Sequence, residues 1–421
     1  MAGEFLRPVG KLFFFKRYPK IWSVPFQLPP LNDEQILNKL SSDFITSRDL
    51  DQPENATLKA KSEAAQDYQS LRDLLVPTYL KQSQRASYYQ NRYFLYQWML
   101  IFGAFVTALS ATITITLTNS DAATNNRAIW SIITLVVAIV TTAANGLLAI
   151  QRPLFRWYGA RRITEELRRH YYLYISHLAP YDRANRVEIL ETHVVQIENG
   201  TAQLGTNEAD TAWASASYED PEVLKAFIKL YRAKRVEAQK KFYEERSDEY
   251  LINSNFVSFA SFMLAGLSTA LAAFNTSSTT TVQWIAVLVA IFPVLAAFLT
   301  SFEKIYGWDR QRTLYDGAVK RLKENNTIPP AATPNAPEPR EPYSTIFLEF
   351  VTAVEDTLKS EMEQWGKPVL EDKRNQEGYS AEQEIEKALG KLDNLAPEVR
   401  DEILKLVRSG APHAPGGTPA P

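Results

Sequence analysis

Residues 250–302 read YLINSNFVSFASFMLAGLSTALAAFNTSSTTTVQWIAVLVAIFPVLAAFLTSF, 53 residues between Glu249 and Glu303 without one Asp, Glu, Lys or Arg. Two apolar stretches, about 251–274 and 282–302, are parted only by Asn275 to Thr281. A helix rises 1.5 Å per residue, so about 20 apolar residues cross roughly 30 Å of hydrocarbon. The segment therefore reads as a transmembrane hairpin. Upstream, 96–118 and 128–151 form another by the same criterion, and no Asp, Glu, Lys, Arg or His occupies any of the four spans.

The mean hydropathy over 421 residues is −0.24. That soluble-looking average arises because charged residues, 22% of the chain, are segregated outside the hairpins. With no cysteine, disulfide and thiolate chemistry are excluded. A formal charge of −2 gives no case for a nucleic-acid partner. The only apolar run near the start, Leu12 to Phe15, is too short for a signal-peptide core. Lys11, Lys16, Arg17 and Lys20 interleaved with Phe13, Phe14, Phe15, Tyr18, Trp22 and Phe26 suit an anionic membrane surface. They equally suit a strap over the rest of the protein.

Basic residues set the expected orientation. Lys81, Arg85 and Arg92 precede the first span, Arg152, Arg156, Arg161 and Arg162 follow the second, and Lys229, Arg232, Lys234, Arg235, Lys240 and Lys241 precede the third. The hairpin loops are nearly bare of charge. The positive-inside rule then puts both loops outside and both termini in the cytoplasm of a bacterial inner membrane.

The expected fold is an all-α membrane protein, with two transmembrane hairpins continuous with long cytoplasmic helices. From Glu222 to Phe274 no proline intervenes, so one helix should project well below the membrane. The divisions are an N-terminal basic and aromatic strap (1–59), a first repeat (60–200), a linker (201–220) and a second repeat (221–366) holding a Pro-rich spacer at 327–342. A C-terminal helical region (367–409) and a disordered tail (410–421) follow. Apolar residues at helical spacing predict a helix over 345–365 that packs back on the juxtamembrane helices.

Small and hydroxyl residues recur along the spans at steps of three and four, the seam of a left-handed helix pair. Ser254, Ser258, Ser261, Ala265 and Ser268 on the third span are read as a helix-packing seam. Thr107, Ser110, Thr114 and Asn145 on the first hairpin admit two readings: packing, or the lining of a narrow aqueous path in an oligomer. Pro293 should kink the fourth span, as a packing feature or a hinge. Trp157, Arg161, Trp308 and Arg312, placed alike after each hairpin, are read as interfacial anchors.

No phosphate loop, nucleophile elbow or zinc motif is present, so neither an enzyme nor a cofactor or metal site is expected. His170, His177, His193 and His413 are scattered, which suits surface or interface packing better than metal binding. Glu165, Glu166, Glu244 and Glu245 beside Arg or Lys read as salt-bridged solvated faces.

The assembly resembles the SLATT family, the SMODS- and SLOG-associating two-transmembrane effector domains. Tyr89, Arg92, Trp157 and Arg161 carry the resemblance in the first half. Tyr243, Arg246, Trp308, Arg312, Glu355, Glu361 and Trp365 carry it in the second. It covers about 60–365, as two tandem copies. What it implies is a membrane effector, with pore formation one form of that role, in nucleotide-triggered bacterial defence. No nucleotide-sensing domain is recognisable, so a cytoplasmic protein partner would supply the trigger. Two readings stand: a homo-oligomeric, channel-like or membrane-perturbing effector in the lipid bilayer, or a membrane-anchored scaffold whose cytoplasmic helices recruit partners.

Overall fold

The computed structural model describes residues 12–13, 18–21, 24–117, 123–200, 220–277, 283–327 and 346–364. Among these there is no strand. Met1–Glu361 form one compact unit, and of the second unit, Met362–Pro421, only the helical residues 362–364 are described. The linker at 201–219, the spacer at 328–342, Trp365, and the regions 367–409 and 410–421 lie outside the described residues.

Within the segment expected as a strap, residues 33–61 fold into short helices. α1 (Asp33–Leu40) starts at a capping box, in which the Asn32 side chain accepts from the Gln35 N–H at 2.8 Å and the Gln35 side chain accepts from the Asn32 N–H at 3.1 Å. α2 (Ser47–Leu50), α3 (Ala56–Lys61) and α4 (Ala64–Leu74) follow. α5 (Val76–Leu117) then runs 42 residues unbroken, about 63 Å, because Pro77 falls in its first turn, where a missing N–H costs nothing. α6 (Ala123–Gln151) returns antiparallel to it.

The returning helix of each hairpin is broken at one left-handed residue. After α6 the break is Arg152 (φ 43°, ψ 53°), followed by Pro153 at the first position of α7 (Pro153–Ile175). In the second half it is Gly307 (φ 56°, ψ 45°), where only glycine adopts the conformation without strain. α8 (Arg186–Asn199) completes the first half.

α9 (Pro221–Tyr231) is capped by the Asp220 carboxylate and feeds through a π-helical turn, Arg232–Glu237, into α10 (Ala238–Ser277). The projecting helix expected from the sequence therefore exists, with one widened turn in it. α11 (Gln283–Tyr306) contains Pro293, and α12 (Trp308–Asn325) and α13 (346–364) complete the described chain.

α5, α6, α10 and α11 each hold a stretch long and apolar enough to cross a membrane. They form a row: α6 packs on α5, α5 on α11, and α11 on α10. The centre of the row is aromatic, with Phe298 4.7 Å from Phe105 and 5.0 Å from Phe102 between ring centroids. Ile132 and Ile139 on α6, and Phe259 and Phe262 on α10, stand exposed, as lipid-facing side chains do.

Candidate functional site

Where α5 and α11 leave the apolar zone, an aromatic layer binds the two hairpins. Its centre is Phe13, 0% exposed, with ring centroids 4.7 Å from Phe302, 5.0 Å from Trp308, 5.7 Å from Tyr306 and 6.1 Å from Trp98. The Phe13 N–H donates to Asn253 Oδ1 at 2.8 Å, and the Asn253 amide donates to the Glu249 carbonyl at 2.7 Å. Trp98 Nε1 donates to Tyr306 Oη at 3.0 Å, and Phe94 stacks on Tyr306 at 4.7 Å. One residue from the N-terminal segment is thus wedged between helices of both hairpins. Each such ring pair adds about 0.5–1.5 kcal/mol beyond the area it buries.

The expected anchors lie in or beside this layer. Trp157 is 6% exposed against Tyr93, Phe94 and Tyr158, and Trp308 is 1% exposed against Phe13 and Tyr306. Both indoles spend their surface on protein, so they join helices rather than meet lipid headgroups. Arg161 pairs with Glu165 at 3.3 Å and Arg312 with Asp316 at 3.5 Å.

Beyond the aromatic layer lies an ionic junction built around the π-turn. A π-turn inserts a residue into the helical register and turns the side chains after it to new directions. Here it aims Arg235 at α13, where Nε and a terminal nitrogen donate to the two Glu355 carboxylate oxygens at 2.8 and 2.7 Å. Tyr231 Oη donates to the same carboxylate at 2.9 Å. Arg235 also lies 5.0 Å over the Tyr172 ring of α7. Its neighbour Lys234 turns to the N-terminal helices, pairing with Asp49 at 2.6 Å and donating to the Ser41 carbonyl at 2.9 Å. Three parts of the chain therefore close on one helical turn.

α7 extends the junction. Arg168 pairs with Glu165 at 3.1 Å and Asp43 at 3.2 Å, and donates to Tyr79 Oη at 2.9 Å. Tyr172 Oη donates to the Asp43 carbonyl at 2.6 Å, and Tyr243 Oη to Glu361 at 3.1 Å. Burial pushes the Glu165 carboxyl up, but Arg168, Arg161 and Arg235 outweigh it and hold the group below its ordinary value of 4.5. The Glu166 carboxyl, raised by burial but lowered by its hydrogen bond with His170 together with the charges of His170, Arg169 and Lys359, also lies below that value. These charges stay fixed at neutral pH, so the arrangement acts as a joint rather than a proton relay.

A second cluster brings Glu63, Asp67 and His177 together. The cation it holds is the Arg186 guanidinium, 2.7 Å from Asp67 and also paired with Glu63, while His177 meets Asp67 at 2.6 Å. His170 and His177, expected at a surface or an interface, are buried. Glu165 and Glu166, expected as solvated, are enclosed in the joint because α7 lies along α5.

In the spans, the candidate lining residues separate. Thr107 and Asn145 are exposed, Thr114 is half-buried and donates to the Ser110 carbonyl at 2.8 Å, and Ser110 is buried. α5 and α6 approach closely at Gly103, where an added Cβ would collide with Thr141. On α10, Ser254 and Ser268 are buried: Ser254 donates to Asp309 and Ser268 to the Val289 carbonyl of α11, each at 2.8 Å. Ser261 is half-buried, whereas Ser258 and Ala265 are exposed. The buried and half-buried stripe of α10 therefore runs through Ser254, Val257, Ser261, Leu264 and Ser268, with Ser268 meeting α11 and Ser254 meeting α12. Steps of three and four fit two adjacent stripes on one helix, and only the neighbouring helix chooses between them.

The bonds of Tyr231 to Glu355 and of Tyr243 to Glu361 link the two ends of one stretch, and the comparisons single out the same stretch. Residues 231–365 match the SMODS and SLOG-associating 2TM effector domain 1. The matched stretch contains the junction turn, the second hairpin and the helix bearing Glu355. Residues 78–188 match a different family, described as a protein of unknown function (DUF4231), in place of the first SLATT copy expected. No curated protein and no solved structure matches the chain. Together, the SLATT transmembrane domain and the four apolar helices make this a multi-pass membrane protein.

Of the residues that carried the resemblance, the structure joins Tyr243 to Glu361 and gives Glu355 two partners, Tyr231, which the sequence reading did not name, and Arg235, which it named only as a basic flank of the third span. Arg168 and Phe13 likewise stood in the sequence only as a basic flank of the second span and as part of the N-terminal strap, without their partners. A signal for part of this existed: Arg161, Glu165, Arg168 and Tyr172 follow steps of four, three and four, a single face of α7. Phe13 left none, for its partners lie up to 295 positions away.

Proposed function

We propose that the protein is a homo-oligomeric membrane effector that forms a channel-like or membrane-perturbing assembly, with both termini on the cytoplasmic side of a bacterial membrane. The observation that carries this is the outer face of α6. Ser131, Leu135, Ala138, Thr142 and Asn145, at steps of four and three, are all exposed on a helix that packs within the chain on α5. Asn145 has no hydrogen-bond partner among the described residues, and a lone amide facing hydrocarbon is unfavourable unless another helix satisfies it. A second copy supplies that helix, and the coiled-coil spacing of the face suits it. In such an assembly Thr107, Thr114 and Asn145 are the groups available to wet a path, and its conductance would follow radius and wetting more than ion sign. The SLATT match supports an effector role, and defence is the setting we assign to it.

The chain has no native cysteine, so cross-linking is clean. Asn145→Cys and Ala138→Cys should give disulfide-linked dimers in native membranes, and Asn145→Leu should lower currents in planar bilayers. Cross-linking at Phe259→Cys on α10 with none on α6 would overturn the reading.

A further inference from the structure

Three of the arginines beneath the first hairpin lack the kind of carboxylate partner that Arg161 there has in Glu165. Arg246, the counterpart of Arg92, pairs with Glu249 at 2.9 Å, and Arg312 pairs with Asp316. By contrast, Arg92, Arg152 and Arg156 have no carboxylate partner among the described residues. Two of them rest on aromatic rings: Arg92 lies 5.3 Å over Tyr88, and Arg156 lies 5.6 Å over Tyr89 and donates one N–H to its hydroxyl at 3.4 Å, which leaves its other N–H groups open. Ring faces steady a guanidinium while leaving its N–H edge free for an anion.

Their height is fixed by the helices. Tyr96 Oη donates to Gln151 at 3.0 Å, which marks a common level on α5 and α6. Arg152 is the next residue, and Arg92 lies one turn below Tyr96, about 6 Å. The polar layer of a bilayer is about 5–8 Å deep on each side of the hydrocarbon. The Arg92 and Arg152 guanidiniums therefore stand at headgroup level, and Arg156, beside Tyr89 about 10 Å below Tyr96, lies just beneath it, within an extended side chain's reach of the layer.

The N-terminal segment is pinned at the same level. The Lys20 N–H donates to Asn91 Oδ1 at 2.7 Å, and the Asn91 amide donates back to the Lys20 carbonyl at 2.6 Å. On either side of Lys20, Tyr18 is 56% exposed and Ile21 58% exposed. An isoleucine and a tyrosine held out beside unpaired arginines suit the boundary between headgroups and acyl chains.

We infer that this face of the first hairpin is a binding site for anionic phospholipid, with Arg92, Arg152 and Arg156 on the headgroup phosphates and Tyr18 and Ile21 seated beside them. The site joins the two readings of the N-terminal segment: Phe13 and Lys20 strap it to the protein, and its free side chains meet the bilayer. The inference is independent of whether the protein conducts.

The test is binding of tail-labelled phosphatidylglycerol and phosphatidylcholine to the full chain in a neutral detergent. Each headgroup-level arginine is worth about fivefold in affinity. Combined Arg92→Gln, Arg152→Gln and Arg156→Gln should weaken phosphatidylglycerol binding by on the order of a hundredfold and leave phosphatidylcholine unchanged. The paired control Arg312→Gln should change neither. Tyr18→Ser with Ile21→Ser should weaken both lipids, because it removes apolar area and no charge. Unaltered phosphatidylglycerol binding by the triple variant, with the wild-type melting temperature, would overturn the inference. So would an equal loss with Arg312→Gln, since the attraction would then be diffuse. Displacement of the lipid by millimolar inorganic phosphate would reassign the face to a free anion and overturn it as well.

Discussion

Removing the Glu355 charge tests the ionic junction directly. In Glu355→Gln the side chain keeps its shape, but Arg235, with 3% of its side chain exposed, loses its counter-ion. Breaking one partner of a buried pair costs about 3–5 kcal/mol, because the remaining charge stays buried. The Tyr172 ring and Glu165 keep some compensation, which points to the lower end, about 3 kcal/mol. At about 2–4 °C per kcal/mol for a chain unit of a few hundred residues, the melting temperature should fall by about 6–12 °C. Intrinsic tryptophan fluorescence during heating in detergent reads this, and Arg235→Met should fall comparably. The double variant Arg235→Met with Glu355→Gln should be less destabilised than the sum of the two singles by about 2 kcal/mol, because neither charge is left stranded. Single variants melting within about 1 °C of wild type, or a double variant equal to the sum, would refute the reasoning.

Phe13→Ala should lower stability by about 3–5 kcal/mol, the usual cost of a large core ring. Fluorescence distances between labels on α5 and α11 should lengthen with it; unchanged stability would show that the wedge is passive. Gly103→Val should separate α5 from α6 and reduce folded yield in membranes, and Thr141→Ala in the same chain should restore part of it; lack of rescue would place the close approach elsewhere. For Glu165 and Glu166 the folded pKa lies below the ordinary 4.5, so their contribution is complete above that value and is lost as pH falls through the folded pKa. Melting temperature should therefore drop from about pH 4.5 downward, and Glu165→Gln should flatten that drop while lowering stability at pH 6. Cysteines at Asn125 and Thr279 should react with an impermeant thiol reagent in intact cells, and labelling at Ser217 alone would invert the topology.

The hairpins were legible because membrane length, absence of charge and basic flanks are properties of contiguous residues. The family pattern located Tyr243, Glu355 and Glu361 for the same kind of reason, as residue types at spacings along helices. Periodicity took the seam only part of the way. The set from Ser254 to Ser268 named the right helix, yet Ser258 and Ala265 turned out exposed, while Val257 is buried and Leu264 half-buried. A repeat near 3.5 fits either of two stripes, and only a docked neighbour selects one. Trp157 and Trp308 show the same limit, since an indole suits a headgroup layer and an aromatic core equally, and packing decided for the core.

What the sequence determined by itself, then, is the count and extent of the apolar helices, the helical class, and the long helix that runs from outside the apolar zone into the third span. Each follows from local backbone hydrogen bonding and from the cost of charge in hydrocarbon. Tertiary structure alone decided that Phe13 wedges the hairpins together across 240 positions to Asn253, that a π-turn turns Lys234 and Arg235 to opposite partners, and that Arg92, Arg152 and Arg156 find no carboxylate among the described residues. Those outcomes depend on which distant surfaces meet, and pairings of that kind leave no period in a chain for a sequence reading to find.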